Sequence, residues 1–112
     1  MDCHWRELTA GEIRLLDELV RRSSAPVARA EDLLACPMDD GGMGSIVLAP
    51  LPISVIPRRF GSQVAEVWFS DADGVAVSAT LNTDEEGELF ELDVWKVDFS
   101  PLIRIPEVFD PR

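Results

Sequence analysis

VAEVWFS at residues 64–70, VAVSATLN at 75–82 and LFELDVWKV at 89–97, separated by DADG (71–74) and TDEEGE (83–88), decide the fold. Each run alternates with period two, and each gap is acidic and carries a glycine, the pattern of strands joined by tight turns. A three-residue loop ending in Gly74 at the left-handed position pairs Asp71 with Val75. That register sets Phe69 opposite Val77, Val67 opposite Ala79 and Ala65 opposite Leu81, so one face becomes wholly apolar. In the second gap the same requirement selects a four-residue loop, Asp84 to Gly87. It pairs Leu81 with Phe90, Ala79 with Leu92 and Val77 with Val94, whereas a three-residue loop would set Leu81 against Glu91 and bury acids. The expected element is a three-stranded antiparallel meander.

Outward from it, Thr9 and Glu12 form a capping box, and Leu8 with Ile13 a hydrophobic staple, so a helix starts at Thr9. Ile13, Leu16, Leu19 and Val20 recur at helical spacing, and Ser23, Ser24 and Pro26 stop the helix. Leu33 to Met38 and Ser45 to Ala49 read as two short strands around the Asp-Gly turn at Asp39-Asp40-Gly41-Gly42, and Pro37 assigns the first to an edge. Pro50 to Gly61, with three prolines and Arg58-Arg59, reads as a long connection. The fold class expected is α+β: a single domain over residues 1–112, with the N-terminal amphipathic helix packed on an antiparallel β-meander of five strands in all. Its core would hold Val67, Phe69, Val77, Leu81, Phe90, Leu92 and Val94, with Ile13 and Leu16 from the helix.

The same register arranges the second face of the meander. Its rows read Glu66, Thr80, Glu91; then Trp68, Ser78, Asp93; then Ser70, Ala76, Trp95. Small residues form a central strip walled by Trp68 on one side and, diagonally across, Trp95. Aromatic anchors of this kind are favoured at protein interfaces, and a neighbouring carboxylate cluster selects a basic partner. The candidate partner-binding residues are therefore Glu66, Trp68, Ser78, Glu91, Asp93 and Trp95. Two arrangements are open: the trough faces solvent, or the Asp39 hairpin or the Pro-rich connection folds over it and buries both indoles. The carboxylates on that face argue against complete burial.

Composition narrows the function classes. The 112 residues carry 21 acids against 10 bases, a formal net charge of -11. Between Phe60 and Ile103 the only base is Lys96. A field of this sign disfavours nucleic acid and anionic membranes and attracts a basic protein. Cys3 and Cys36 are too few for a disulfide framework and lack metal-ligand spacing, and the first residues lack a secretory pattern. A cytoplasmic location with reduced thiols is the expectation, with Cys36 an apolar filler.

No catalytic constellation stands out, and an enzyme is not expected; a hydrolase built on paired carboxylates such as Glu66 and Glu91 is the least favoured reading. His4 lies in the N-terminal segment without a partner for metal or proton transfer. Asp71-Ala72-Asp73-Gly74 lacks two ligands of a calcium loop, since Phe69 and Thr80 would occupy its first and twelfth positions. Gly41-Gly42-Met43-Gly44 lacks the lysine of a phosphate cradle. No cofactor and no metal is implied.

MDDGGMGS at 38–45 and ELDVWKVDFSPL at 91–102 resemble segments of small bacterial proteins classed as a domain family of unknown function. The resemblance covers about two thirds of the chain and carries no functional residue with it. In size and acidity the chain is also similar to immunity proteins that neutralise bacterial toxins. The function expected is a protein-binding module, an immunity-like inhibitor or adaptor for a basic partner. The alternative is a self-associating structural domain, a homodimer formed through this face or a strand edge.

Overall fold

The computed structural model describes residues 3–23, 30–50 and 57–109. Helix α1 (Ala10–Arg22) starts as its capping box dictates: the Thr9 hydroxyl accepts from the Glu12 N–H at 3.2 Å, and the Glu12 carboxylate accepts from the Thr9 N–H at 2.8 Å. A single 3-10 turn (Ala30–Asp32) leads into β1 (Leu33–Pro37), and β2 (Ile46–Pro50), β3 (Phe60–Ser70), β4 (Ala76–Asp84) and β5 (Leu89–Lys96) follow. Together they form one five-stranded antiparallel sheet in the order β1-β2-β5-β4-β3. The fold is thus α+β, one N-terminal helix on a five-stranded sheet. β3, β4 and β5 are the meander, and the β1-β2 hairpin joins it along β5, where Ile46 pairs with Leu92 and Val47 with Glu91. Part of the Pro-rich connection, residues 51–56, lies outside the described residues. No helix among the described residues is long and apolar enough to cross a membrane.

The helix turns a different stripe inward from the one its spacing suggested. Leu15, Leu16 and Leu19 are buried, while Ile13 is 36% exposed. Glu12 stands on the buried stripe with them, at the i, i+3, i+4, i+7 positions 12, 15, 16 and 19. A carboxylate is tolerated there because Arg6 holds it bidentately at 2.7 and 2.8 Å, in addition to its capping bond. Arg6 also exchanges both backbone hydrogen bonds with Ala35, at 2.9 and 2.7 Å, so the N-terminal segment shields the outer edge of β1. The cysteines are not reduced fillers: Cys3 and Cys36 are disulfide-bonded, with Cα atoms 5.8 Å apart, and tie that segment to β1.

The β3-β4 register follows the hydrophobic pattern, with Ala65, Val67 and Phe69 opposite Leu81, Ala79 and Val77. The β4-β5 register is displaced by two residues from the expected one: Leu81 pairs with Leu92, Ala79 with Val94 and Val77 with Lys96. The connection is a three-residue loop after all. Asp84 N–H donates to the Glu88 carbonyl at 2.8 Å, Gly87 N–H to the Asp84 carbonyl at 3.0 Å, and Gly87 has φ 84°. By itself this loop would turn Glu91 into the core. A β-bulge prevents it, because Thr83 pairs with Leu89 and Asn82 with Glu91, leaving Phe90 as the extra residue. Phe90 is accordingly half-buried outside the core cluster, beneath the Arg58 guanidinium at 4.8 Å. β3 carries two compensating extra residues, Gly61 and Val64. A Cβ at Gly61 would collide with the Asp84 carbonyl, so only glycine fits there.

On the core face, α1 and the C-terminal segment lie over the buried side of the sheet. Leu102 N–H donates to the Gly42 carbonyl at 3.0 Å, the Arg14 guanidinium reaches the Ile105 and Pro106 carbonyls, and Phe109 meets Phe69 edge to face at 5.9 Å. Gly44, at φ 103°, leaves room for Leu102, whose side chain would stand 3.1 Å from an added Cβ. The glycine run is therefore a seat for the C-terminal segment. Lys96 shares the core face and is completely buried. Its ammonium donates to Asp71 Oδ2 at 2.8 Å, Asp73 Oδ2 at 2.7 Å and the Pro101 carbonyl at 3.2 Å. Asp71 in turn accepts from the N–H groups of Ala72, Ile103 and Arg104.

Burial works against ionisation of Asp71, but the Lys96 ammonium and those N–H groups outweigh it and hold its carboxyl at about 2, below the ordinary 3.8. A pKa depressed on folding stabilises the native state above the unfolded value and is lost as pH falls through the folded one. Acid titration followed by circular dichroism should therefore show stability declining between about pH 4 and pH 2. Asp71→Asn should lower stability at neutral pH by about 3 kcal/mol or more, because it leaves the buried ammonium short of its partner. The variant should also show a shallower acid limb than the parent.

Candidate functional site

The sheet face opposite α1 is built by parity from the residues that alternate with the core. Trp68 pairs with Ser78 and Ser78 with Trp95, so the three form one straight row across β3, β4 and β5. In the next row Glu66 pairs with Thr80 and Thr80 with Asp93. Beyond it, Gln63, Asn82, Glu91 and Val47 follow in line. The two-residue displacement, one residue from the three-residue loop and one from the Phe90 bulge, thus moves Trp95 from its expected diagonal place to one directly across from Trp68. No trough with separated walls remains.

Instead the indoles meet edge to face, with ring centroids 6.3 Å apart and planes at 76°, and Ser78 between them is buried. Phe99 extends the row, its ring 6.2 Å from that of Trp95 at 65°. Exposure decides between a second core layer and an open surface: Trp68 is 46% exposed, Trp95 42% and Phe99 68%. The row is an open aromatic ridge. Among the six candidate residues, Trp68, Ser78 and Trp95 stand together, Glu66 and Asp93 flank them as exposed carboxylates, and Glu91 lies a row further away. Glu91 is half-buried and accepts from the Asn82 amide at 3.4 Å, so it belongs to the sheet's own polar contacts.

Phe99 escaped the reading of the sequence. It follows β5 in a turn closed by its N–H donating to the Lys96 carbonyl at 2.9 Å, and it is the non-glycine residue with positive φ, 63°, among the described residues. Such a conformation is written nowhere in the composition of Lys96-Val97-Asp98-Phe99. Lys96, the one base between Phe60 and Ile103, does not stand among the acids of this face. Its parity with Leu92 and Val94 sends it to the other side. Asp98 keeps its carboxyl below the ordinary carboxylate range because the Ser100 hydroxyl and N–H both donate to it, at 2.6 and 3.0 Å.

Other concave or ionisable features offer less. A shallow hollow of about 200 Å³ is lined by Ser70, Ala72, Arg104, Pro106 and Glu107. Asp71 lies close by in sequence, but its carboxylate is engaged by Lys96 and backbone N–H groups. Among the described residues, no group of three or more His, Cys, Asp and Glu side chains converges as a metal site would.

A helix laid on one face of an antiparallel sheet, with aromatic side chains exposed on the other, defines the chain as a small α+β domain with one open sheet face. The model of a family described as a domain of unknown function, DUF6984, matches residues 5–106, and the chain belongs to that family. No curated protein and no solved structure matches the chain.

An open ridge has a thermodynamic signature. Trp68→Ala and Trp95→Ala should each shift the melting temperature by less than the change produced by a core truncation such as Leu92→Ala, which should cost about 2 to 5 kcal/mol. Differential scanning calorimetry of the three variants measures it. Equal losses would identify the indoles as core residues.

Proposed function

We propose that the domain is a protein-binding module for a basic partner, an immunity-like inhibitor or adaptor, and that the Trp68–Trp95–Phe99 ridge is its docking surface. The observation that carries this reading is the exposure of three aromatic rings in a row, each touching the next, on a sheet face whose neighbouring side chains include Glu66 and Asp93. Isolated exposed apolar residues are ordinary, but a contiguous aromatic patch on a small domain marks an interaction site. Trp is among the residues most enriched at binding hot spots. A formal net charge of -11 steers a basic molecule toward it and repels nucleic acid. Self-association through the same face would bring like carboxylates together, which disfavours the homodimer.

Affinity capture with the immobilised domain at low and at high salt tests the proposal. The captured protein should be basic, should be released as salt rises, and should be lost with the Trp68→Ala/Trp95→Ala double variant, each Trp being worth about 2 kcal/mol or more. Capture of no partner, of acidic proteins alone, or of the same protein by the double variant would refute it. Sedimentation across a dilution series separates the homodimer, which should appear at high concentration if the ridge is a self-interface.

A further inference from the structure

We propose that the aromatic ridge recognises an arginine side chain of the partner, whose guanidinium stacks on the Trp68, Trp95 and Phe99 rings and pairs with Glu66 or Asp93. The inference rests on the protein-binding reading and adds the chemistry of its anchor. Three features of the surface lead to it.

The first is spacing. Glu66 precedes Trp68, and Asp93 precedes Trp95, by two residues on the same strand face. At roughly 3.3 Å per residue the backbone row that carries the carboxylates is offset by about 7 Å along the strands from the row that carries the rings. A flat guanidinium on an aromatic face with its fork of N–H donors pointed along the sheet spans that gap, whereas an ammonium is a point charge that prefers water to an aromatic face. The second is that the fold already contains this arrangement. Arg58 lies over the Phe90 ring at 4.8 Å while donating to Asp84 at 2.9 Å and to the Leu48 carbonyl at 2.6 Å. The ridge offers the ring and the carboxylate of that assembly, and its nearest base in sequence, Lys96, is buried on the opposite face.

The third feature is strain. Phe99 holds a left-handed backbone, φ 63°, that disfavours a bulky residue, and yet its ring is 68% exposed. Folding alone would be better served by Gly or Asn at this position. An aromatic ring kept there against backbone preference, in contact with Trp95, is accounted for by a ligand that uses it.

The test follows the indole N–H resonances by NMR while titrating hexapeptides of alternating serine and arginine, and the same peptides with lysine or with citrulline, which keeps the shape of arginine and lacks its charge. The arginine peptide should shift the Trp68 and Trp95 signals and leave Trp5 in place. It should bind about fivefold or more tighter than the citrulline peptide and tighter than the lysine peptide, and should weaken as salt rises. Phe99→Asn should bind the arginine peptide several-fold more weakly without a lower melting temperature, since Asn accepts the left-handed backbone. Equal binding of arginine and citrulline peptides, shifts confined to Trp5, or undiminished binding by Phe99→Asn would overturn the assignment. A captured partner that needs both Trp residues while the arginine and citrulline peptides bind alike refutes the arginine anchor and leaves the docking surface standing. Arginine-selective binding at the ridge supports the anchor even where no partner is captured.

Discussion

The buried ion pair between Lys96 and Asp71 joins three parts of the chain that have little else in common: the end of β5, the turn between β3 and β4, and the C-terminal segment. A lysine at a core position would be expensive to desolvate on its own. All three of its donors are used, on Asp71, Asp73 and the Pro101 carbonyl, and the remaining capacity of Asp71 is taken by backbone N–H groups. Because the pair is satisfied only when the C-terminal segment lies across it, that segment is held where Leu102 can meet Gly44 and Phe109 can meet Phe69. The pair also makes tolerable the core-side place that strand parity gives Lys96, away from Glu66 and Asp93 on the helix-free face.

Two rules of hairpin construction conflict in the turn between β4 and β5. Asp84-Glu85-Glu86-Gly87 has the same Asp-x-x-Gly form as Asp71-Ala72-Asp73-Gly74, and both close the same three-residue loop with glycine at positive φ. The alternation of LFELDVWKV demands the opposite parity. A bulge at Phe90 satisfies both, since one extra residue restores the apolar face at the cost of one ladder position. The consequence reaches the helix-free face: the shorter loop and the bulge shift the register by one residue each, and together they bring Trp95 into contact with Trp68. Arg58 fills the gap the bulge opens, stacking on Phe90 and satisfying the Leu48 and Leu89 carbonyls where β2 and β5 part.

The two faces of the sheet divide the work. One holds the leucine-rich stripe of α1 and the C-terminal segment and supplies the core. The other keeps aromatic and acidic side chains at the surface over the Trp68 row. The disulfide and the Arg6 bridge shield β1 at one edge, so that the N-terminal segment, the helix cap and the sheet edge form one connected assembly through Arg6 and Glu12.

Periodicity and turn chemistry by themselves determined the helix and its cap, the five strands, the antiparallel β3-β4 register and the separation of an apolar face from one bearing Trp68 and Trp95. These are local or nearest-neighbour properties, and a period-two pattern assigns a face to every residue regardless of what lies across the sheet. The membership of Lys96 in the core face was legible by the same parity, but only the C-terminal segment folding back explains why a lysine is tolerated there. The stripe of α1 that turns inward, Leu15 in place of Ile13, depended on Arg6 and Thr9 satisfying Glu12. The Phe90 bulge, the pairing of Cys3 with Cys36 and the arrival of Phe99 beside Trp95 were likewise decided by tertiary structure. Each is a contact between residues whose local patterns are silent about one another, and each forms only once distant segments are brought together.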